Sequence, residues 1–308
     1  MKKILITGGA GFIGTHLCNY LLDKNNYVIC LDNLSTGNKQ NILKNLTNKN
    51  FKFIEHDILN KLKMEVDEIY HLACPASPIQ YQLNPINTFK TSIIGTMNVI
   101  ELALKNNAAI LHASTSEIYG DPLISIQNEE YYGNVNPIGI RACYNESKRA
   151  AETLLFDYHR QYKLKIKICR IFNTYGPIMS HDDGRVVSNF IIQALKKKPI
   201  TIYGDGSQTR SFCYISDLII GLYNFMNQSE NFTGPLNLGN PEVISIVDLA
   251  KKITHMTKSN SKIIFTDLPE DDPKQRIPNI KLAQKILNWN PSTNLKTGLS
   301  HTIKYFNL

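Results

Sequence analysis

The chain has 308 residues, 43% hydrophobic and 19% charged, with 17 glycines and 13 prolines spread along it, which excludes a disordered or fibrous protein. Its net charge of +8 comes from lysines scattered through Asn-rich stretches, without the basic stripe or module of a nucleic-acid binder, so no nucleic-acid partner is expected. No apolar run approaches a membrane span, and strand-like sequence begins at Lys3, leaving no room for a signal peptide.

In chain order, "KILIT" reads as a strand and "FIGTHLCNYLL" as a helix, and "YVICL", "FKFIE", "EIYHLA" and "AAILHAS" read as further strands. Long helices are predicted over "INTFKTSIIGTMNVIELALK" and "CYNESKRAAETLLFDYHRQY", the second followed by the strand "KIKICRIF". Strands alternating with helices imply right-handed crossovers and an α/β fold with a doubly wound parallel sheet of the Rossmann type. After about residue 176, Gly, Pro and Asp punctuate the chain, as in "YGDGSQ" and "LGNPE". The expected division is a first domain over 1–175, joined by a returning segment near 213–238, and a smaller discontinuous lobe over 176–308. Six cysteines show no C-x-x-C pair and mostly sit among apolar residues. They read as reduced core thiols of a cytoplasmic protein, and no metal site is expected.

"ITGGAGFIG" places Gly8, Gly11 and Gly14 between a strand and a helix. Such glycines permit a tight turn and a close approach to a pyrophosphate, whose charge the helix N-terminus receives. Asp32 ends the second strand, 18 residues after Gly14. A carboxylate there accepts hydrogen bonds from a ribose diol and repels a 2′-phosphate, which favours NAD over NADP. Around this cradle the cofactor candidates are Phe12, Ile13, Asn33, Ser35, Thr36, Gly37, Asp57, Ile58 and Leu72.

"CYNESKR" carries Tyr144 and Lys148, four residues apart and therefore on one helical face. An ammonium beside a phenol favours the phenolate, which can take a proton from a sugar alcohol. "STSEIYG" adds Thr115 and a lone acid, Glu117, at the end of a buried strand, with Ser116 between them.

With these motifs the chain resembles the extended short-chain dehydrogenase/reductase family over essentially its full length. Within that family it is similar to the UDP-glucuronate decarboxylases through "HLACPASPIQYQLNPINTFKTSIIGT", "STSEIYGDP", "YYGNVNPIGIRACYNESKR", "RIFNTYGPIMSHDDGRVVSNF" and "YGDGSQTRSFCYISDL". The resemblance implies that Tyr144 and Lys148 form the catalytic pair, assisted by Thr115 and Glu117, and that both members of the pair also meet the cofactor. Related dehydratases carry T-D-E, where the Asp protonates a leaving hydroxyl; Ser116 is the wrong group for that. The family's 4-epimerases usually lack the Glu. A lone acid suits a decarboxylase, since CO2 leaves unprotonated. The implied reaction is oxidation at C4, loss of CO2 from a β-keto acid, protonation at C5 and re-reduction to UDP-xylose without net use of NAD.

For the doubly anionic UDP-sugar, the resemblance points to Asn173, Arg185, Tyr203, Arg210 and Arg276, with Lys90 and Thr91 on the long helix. It also implies a homodimer built through a four-helix interface. The competing readings are a 4-epimerase or 4,6-dehydratase of the same fold, or a non-catalytic NAD-sensing or scaffold protein.

Overall fold

The structure, a computed structural model, describes residues 1–229, 231–269 and 275–307. The first half runs β1 (Lys3–Thr7), α1 (Phe12–Asp23), β2 (Tyr27–Asp32), β3 (Phe51–Glu55), β4 (Glu68–His71), α2 (Pro78–Leu83), α3 (Pro85–Lys90), α4 (Thr96–Asn106), β5 (Ala109–Thr115), α5 (Ala142–Tyr162) and β6 (Ile166–Ile171). The second half continues with β7 (Thr174–Tyr175), α6 (Val186–Leu195), β8 (Ile200–Tyr203), β9 (Thr209–Ser211), β10 (Cys213–Tyr214) and α7 (Ile215–Met226). It ends with β11 (Leu236–Leu238), β12 (Val243–Ser245), α8 (Ile246–Met256), β13 (Ile263–Thr266), β14 (Gln275–Arg276), α9 (Lys281–Leu287) and α10 (Leu295–Phe306).

Seven parallel strands form the central sheet in the order β11-β6-β5-β4-β1-β2-β3. Apolar runs such as "ILIT" and "EIYH" are buried along their whole length, because helices cover both faces. On one face α1 meets α7, with Tyr20 and Tyr223 edge to face at 5.2 Å. On the other, Val99, Ile100 and Leu155 of α4 and α5 pack against Ile69, Ile110 and Ile168. Each such fully buried side chain contributes about 1.5–3 kcal/mol of transfer free energy. The strand order reverses between β1 and β4, so a crevice opens beyond their C-terminal ends, where Thr7, His71 and Thr115 stop.

The helix predicted over 86–105 is divided. Asn84 caps α3 by accepting from the Asn87 amide at 3.2 Å, with Pro85 in the first position. Thr91–Gly95 then forms a π turn before α4 resumes. Gly95 ends this turn against Ile58 of the loop after β3, where a Cβ would lie 2.4 Å from Ile58 Cδ1, so a larger residue would need that side chain to shift. The π turn also puts Ser92 Oγ 3.1 Å from Cys74 Sγ at the crevice.

After α6 and β8–β10, the chain comes back to the central sheet through α7 and β11, which pairs with β6. Two small sheets, β12-β9-β14 and β13-β8, stand apart from the central sheet, with α6 and α8 packed on their strands. Asp217 at the start of α7 ties the C-terminal region in, accepting from Ser292 Oγ at 3.0 Å and the Thr293 amide at 2.9 Å. Among the described residues no helix is long and apolar enough to cross a membrane.

Candidate active site

A cavity of about 900 Å3 lies between the C-terminal ends of the central strands and the small sheets with α6. Its floor is the glycine turn. Gly8 adopts φ +71, and its carbonyl accepts from the Gly11 amide at 3.2 Å. A Cβ on Gly14 would fall 2.1 Å from that same carbonyl, so the first turn of α1 can pack here only as glycine. Gly8, Gly11, Phe12, Ile13 and Gly14 all line the cavity, joined by Asp32, Asn33, Ser35, Thr36, Ile58 and Leu72.

Asp32 is 6% exposed and accepts from the Ala10 amide at 2.9 Å and the Leu34 amide at 2.8 Å. Burial pushes its carboxyl up and these two bonds pull it down. Each oxygen keeps a further lone pair for a diol. Gly37 and Asp57 stand behind this wall and do not line it. A Cβ on Gly37 would lie 2.8 Å from the Asp32 oxygens, and Asp57 accepts from Asn33 Nδ2 at 2.9 Å. Free amides at the start of α1, glycines where side chains would clash, and a carboxylate at the end of β2 together fit a dinucleotide.

Tyr144 and Lys148 face the cavity from the first turns of α5. Burial pushes the Tyr144 phenol far up, Cys74 adds to that, and the nearby Thr115 hydroxyl opposes both. Lys148 Nζ donates to the Ala113 carbonyl at 2.8 Å and stands 5.9 Å from the Tyr144 ring centroid. Burial lowers the Lys148 ammonium, while Cys74 and Glu152 hold it up. Thr115 also caps the 3-10 turn Ser116–Tyr119, accepting from the Glu117 amide at 3.2 Å. That turn swings Glu117 into the cavity beside Ser116.

Glu117 Oε1 meets Arg276 Nη1 at 2.7 Å. The other carboxylate oxygen, and Nε and Nη2 of Arg276, are buried without a hydrogen-bond partner among the described residues. β14 holds Arg276 in place, since it pairs with β9 and the Ile277 amide donates to Gln127 Oε1 at 2.8 Å. In the same register Arg210 lies beside Arg276, and both line the cavity with Arg185, Asn173, Tyr203 and Thr91. Arg185 sits nearer the glycine turn than its neighbours do: it pairs with Asp183 at 2.7 Å and lies 5.8 Å from the Phe12 ring. Lys90 is exposed at the end of α3 and outside the lining.

The motifs did not single out Ser77, Cys74 or Arg141, all of which line the cavity. Ser77 Oγ is buried with no partner. They lie in stretches whose likeness to the family was plain, but no spacing marked these residues as facing the site.

The profile of the NAD dependent epimerase/dehydratase family matches residues 4–239. The chain is 50% identical over 304 residues to UDP-glucuronic acid decarboxylase 4 of Arabidopsis thaliana, covering 99% of this chain and 68% of that one. It is 50% identical over 305 residues to UDP-glucuronic acid decarboxylase 1 of Danio rerio, covering 99% and 72%. Among solved structures it superposes on UDP-glucuronic acid 4-epimerase of Bacillus cereus, in complex with UDP-glucuronic acid and NAD, with a TM-score of 0.87, 30% identity and coverage of 99% and 98%. A cradle built for a dinucleotide, a tyrosine–lysine pair above it and these likenesses agree: the chain belongs to the NAD dependent epimerase/dehydratase family.

Proposed function

We propose that this protein is a UDP-glucuronate decarboxylase that forms UDP-xylose through a 4-keto intermediate. One observation carries the reading beyond the family level: the Glu117–Arg276 pair, which lines the cavity with Thr115 and Tyr144, leaves two buried guanidinium donors without a partner among the described residues. Two parallel N–H groups are the natural partner of a carboxylate, which is what distinguishes this substrate from a neutral hexose. The 50% identity over 99% of the chain to decarboxylases of Arabidopsis thaliana and Danio rerio supports the same reading.

Gly8, Gly11, Gly14 and Asp32 would hold NAD, which when bound supplies the hydride acceptor for C4 and the hydride that returns. Thr115 orients the C4 hydroxyl and Tyr144 takes its proton, with the Lys148 ammonium favouring the phenolate. The resulting ketone lies β to the C6 carboxylate, so electrons from the breaking C–C bond delocalise into an enolate. Arg276 grips the carboxylate, while Glu117 places a like charge beside it. Departure of neutral CO2 moves the substrate's negative charge from the carboxylate beside Glu117 into the enolate, where it stays until C5 is protonated. Glu117 then governs water or proton delivery at C5, and Tyr144 returns its proton to the C4 oxygen. Ser116, 3% exposed, offers no acid for a dehydration.

Arg210, Asn173 and Tyr203 are proposed to hold the UDP moiety. Arg185, over Phe12, is placed to serve the junction between diphosphate and cofactor. Asp32 selects NAD, and titrations in which NADP binds equally well would remove that assignment. We also place the protein in the cytoplasm, on its six free thiols, and infer a homodimer through α3–α4 and α5. Ile86, Phe89, Ile94 and Met97 are exposed along the first of these helices, and sedimentation of a monomer would refute the pairing.

Incubation with UDP-glucuronate, UDP-glucose and dTDP-glucose separates the readings. CO2 and UDP-xylose should form in equal amounts from the first, without added NADH. Conversion of dTDP-glucose to a 4-keto-6-deoxy sugar, with UDP-glucuronate untouched, would overturn the proposal.

A further inference from the structure

One face of the Tyr144 ring is covered by another tyrosine. The Tyr81 ring lies 4.9 Å away, centroid to centroid, with an interplanar angle of 1°. Tyr81 is 1% exposed and does not line the cavity, so it stands behind Tyr144 on the side away from the space where a substrate would sit. It is itself firmly held. Its amide donates to the Ser77 carbonyl at 3.0 Å, and its own carbonyl accepts from Thr88 Oγ1 at 3.1 Å and from Cys143 Sγ at 3.6 Å. Thr88 belongs to α3, and Cys143 is the residue immediately before Tyr144. The residue that covers the Tyr144 ring is thus also tied to the backbone that carries it.

We propose that Tyr81 is a positioning residue: its ring is a back plate that fixes the plane of Tyr144, and its carbonyl fixes the first turn of α5. Tyr144 lines a wide cavity, which leaves its ring room to tilt on that side. Stacking removes the freedom, because parallel rings at this spacing attract and any tilt loses contact. The same cover keeps water from one face of the phenol, in keeping with burial as the main cause of its upward shift. The other groups acting on Tyr144 are Cys74 after β4, Glu117 after β5 and Arg185 before α6, with Lys148 on its own helix.

The inference rests on the proposed reaction for its kinetic reading, whereas the titration of the Tyr144 phenol needs no substrate. Tyr81→Leu removes the plane, Tyr81→Met fills similar volume without one, and Tyr81→Phe keeps the plane while removing the hydroxyl. In the full chain, with unfolding midpoints recorded for each variant, Leu or Met should lower kcat about 10- to 100-fold with little change in KM. Phe should recover most of that loss. Absorbance titration of each variant against its Tyr144→Phe double variant should place the phenol lower for Leu and Met, and near wild type for Phe. A folded Leu or Met variant with unchanged kcat and titration overturns the proposal, as does a Phe variant as damaged as Leu. If wild type leaves UDP-glucuronate untouched while the titrations behave as stated, the reaction assignment fails and the positioning role stands.

Discussion

Two buried acid–arginine pairs have opposite characters. Glu152 and Arg170 join α5 to β6, with side chains 9% and 10% exposed. Arg170 donates to both carboxylate oxygens, at 3.1 and 2.8 Å, and its Nη1 donates to the Tyr119 hydroxyl and the Glu129 carbonyl, each at 3.0 Å. Ser114 adds a further bond to Glu152, and Tyr119 donates onward to Asn237. Glu117 and Arg276 are as deeply placed, at 12% and 9%, yet share one contact and keep three polar atoms unpaired. Burial without partners is costly, so the first pair reads as finished structure and the second as a site completed by a ligand.

The contrast is sharpest where one partner is removed. Arg170→Met strands a charged Glu152 in a closed network and should cost about 3–5 kcal/mol in urea unfolding. Glu117→Gln changes a group that faces an open cavity. It should lower turnover about 10²–10⁴-fold, chiefly in steps after C4 oxidation, while stability changes by about 1 kcal/mol or less. If the two variants exchange these signatures, the division between closed and open pairs is wrong.

A third buried cluster is closed but uncharged. Thr96 Oγ1 donates to the Ser92 carbonyl, so it must accept from His71 Nε2, 3.0 Å away, and His71 Nδ1 then accepts from Thr7 Oγ1 at 2.8 Å. That fixes the neutral tautomer, and burial, with Lys148 close by, pushes His71 down to about 3. The unfolded chain binds this proton from about pH 6.5 downward and the folded one does not. Stability from this residue is therefore complete above about pH 6.5 and declines toward pH 3, by about 2 kcal/mol at pH 5. Denaturant unfolding across that interval should show a shallower decline for His71→Gln. An identical slope would mean that His71 is protonated in the fold.

The sheet could be read from the sequence because fully buried parallel strands write continuous apolar runs, as in "KILIT" and "YVICL", and the glycine turn because each glycine answers a local steric demand. The division of the long helix at Thr91–Gly95 could not, since its apolar periodicity runs on unbroken through the π turn and the close neighbour of Gly95, Ile58, lies 37 residues away in sequence. Tyr144 and Lys148 are one turn apart and announce themselves. Glu117 and Arg276 are distant in sequence, and their meeting depends on β14 pairing with β9 in one of the small sheets. Likeness to a family marked Arg276, but its open donors are visible only in three dimensions. Tyr81 carries no spacing signal at all, because its partner ring lies on a different helix.

The central claim is that the unpaired donors of Arg276 receive the carboxylate of the sugar. Calorimetric titration of wild type and Arg276→Met with UDP-glucuronate and with UDP-xylose, which lacks that carboxylate, tests it directly. The expected result is that Arg276→Met weakens UDP-glucuronate about 10- to 100-fold and leaves UDP-xylose close to wild type. Equal weakening of both would assign Arg276 to the nucleotide or to the fold, and would contradict the account.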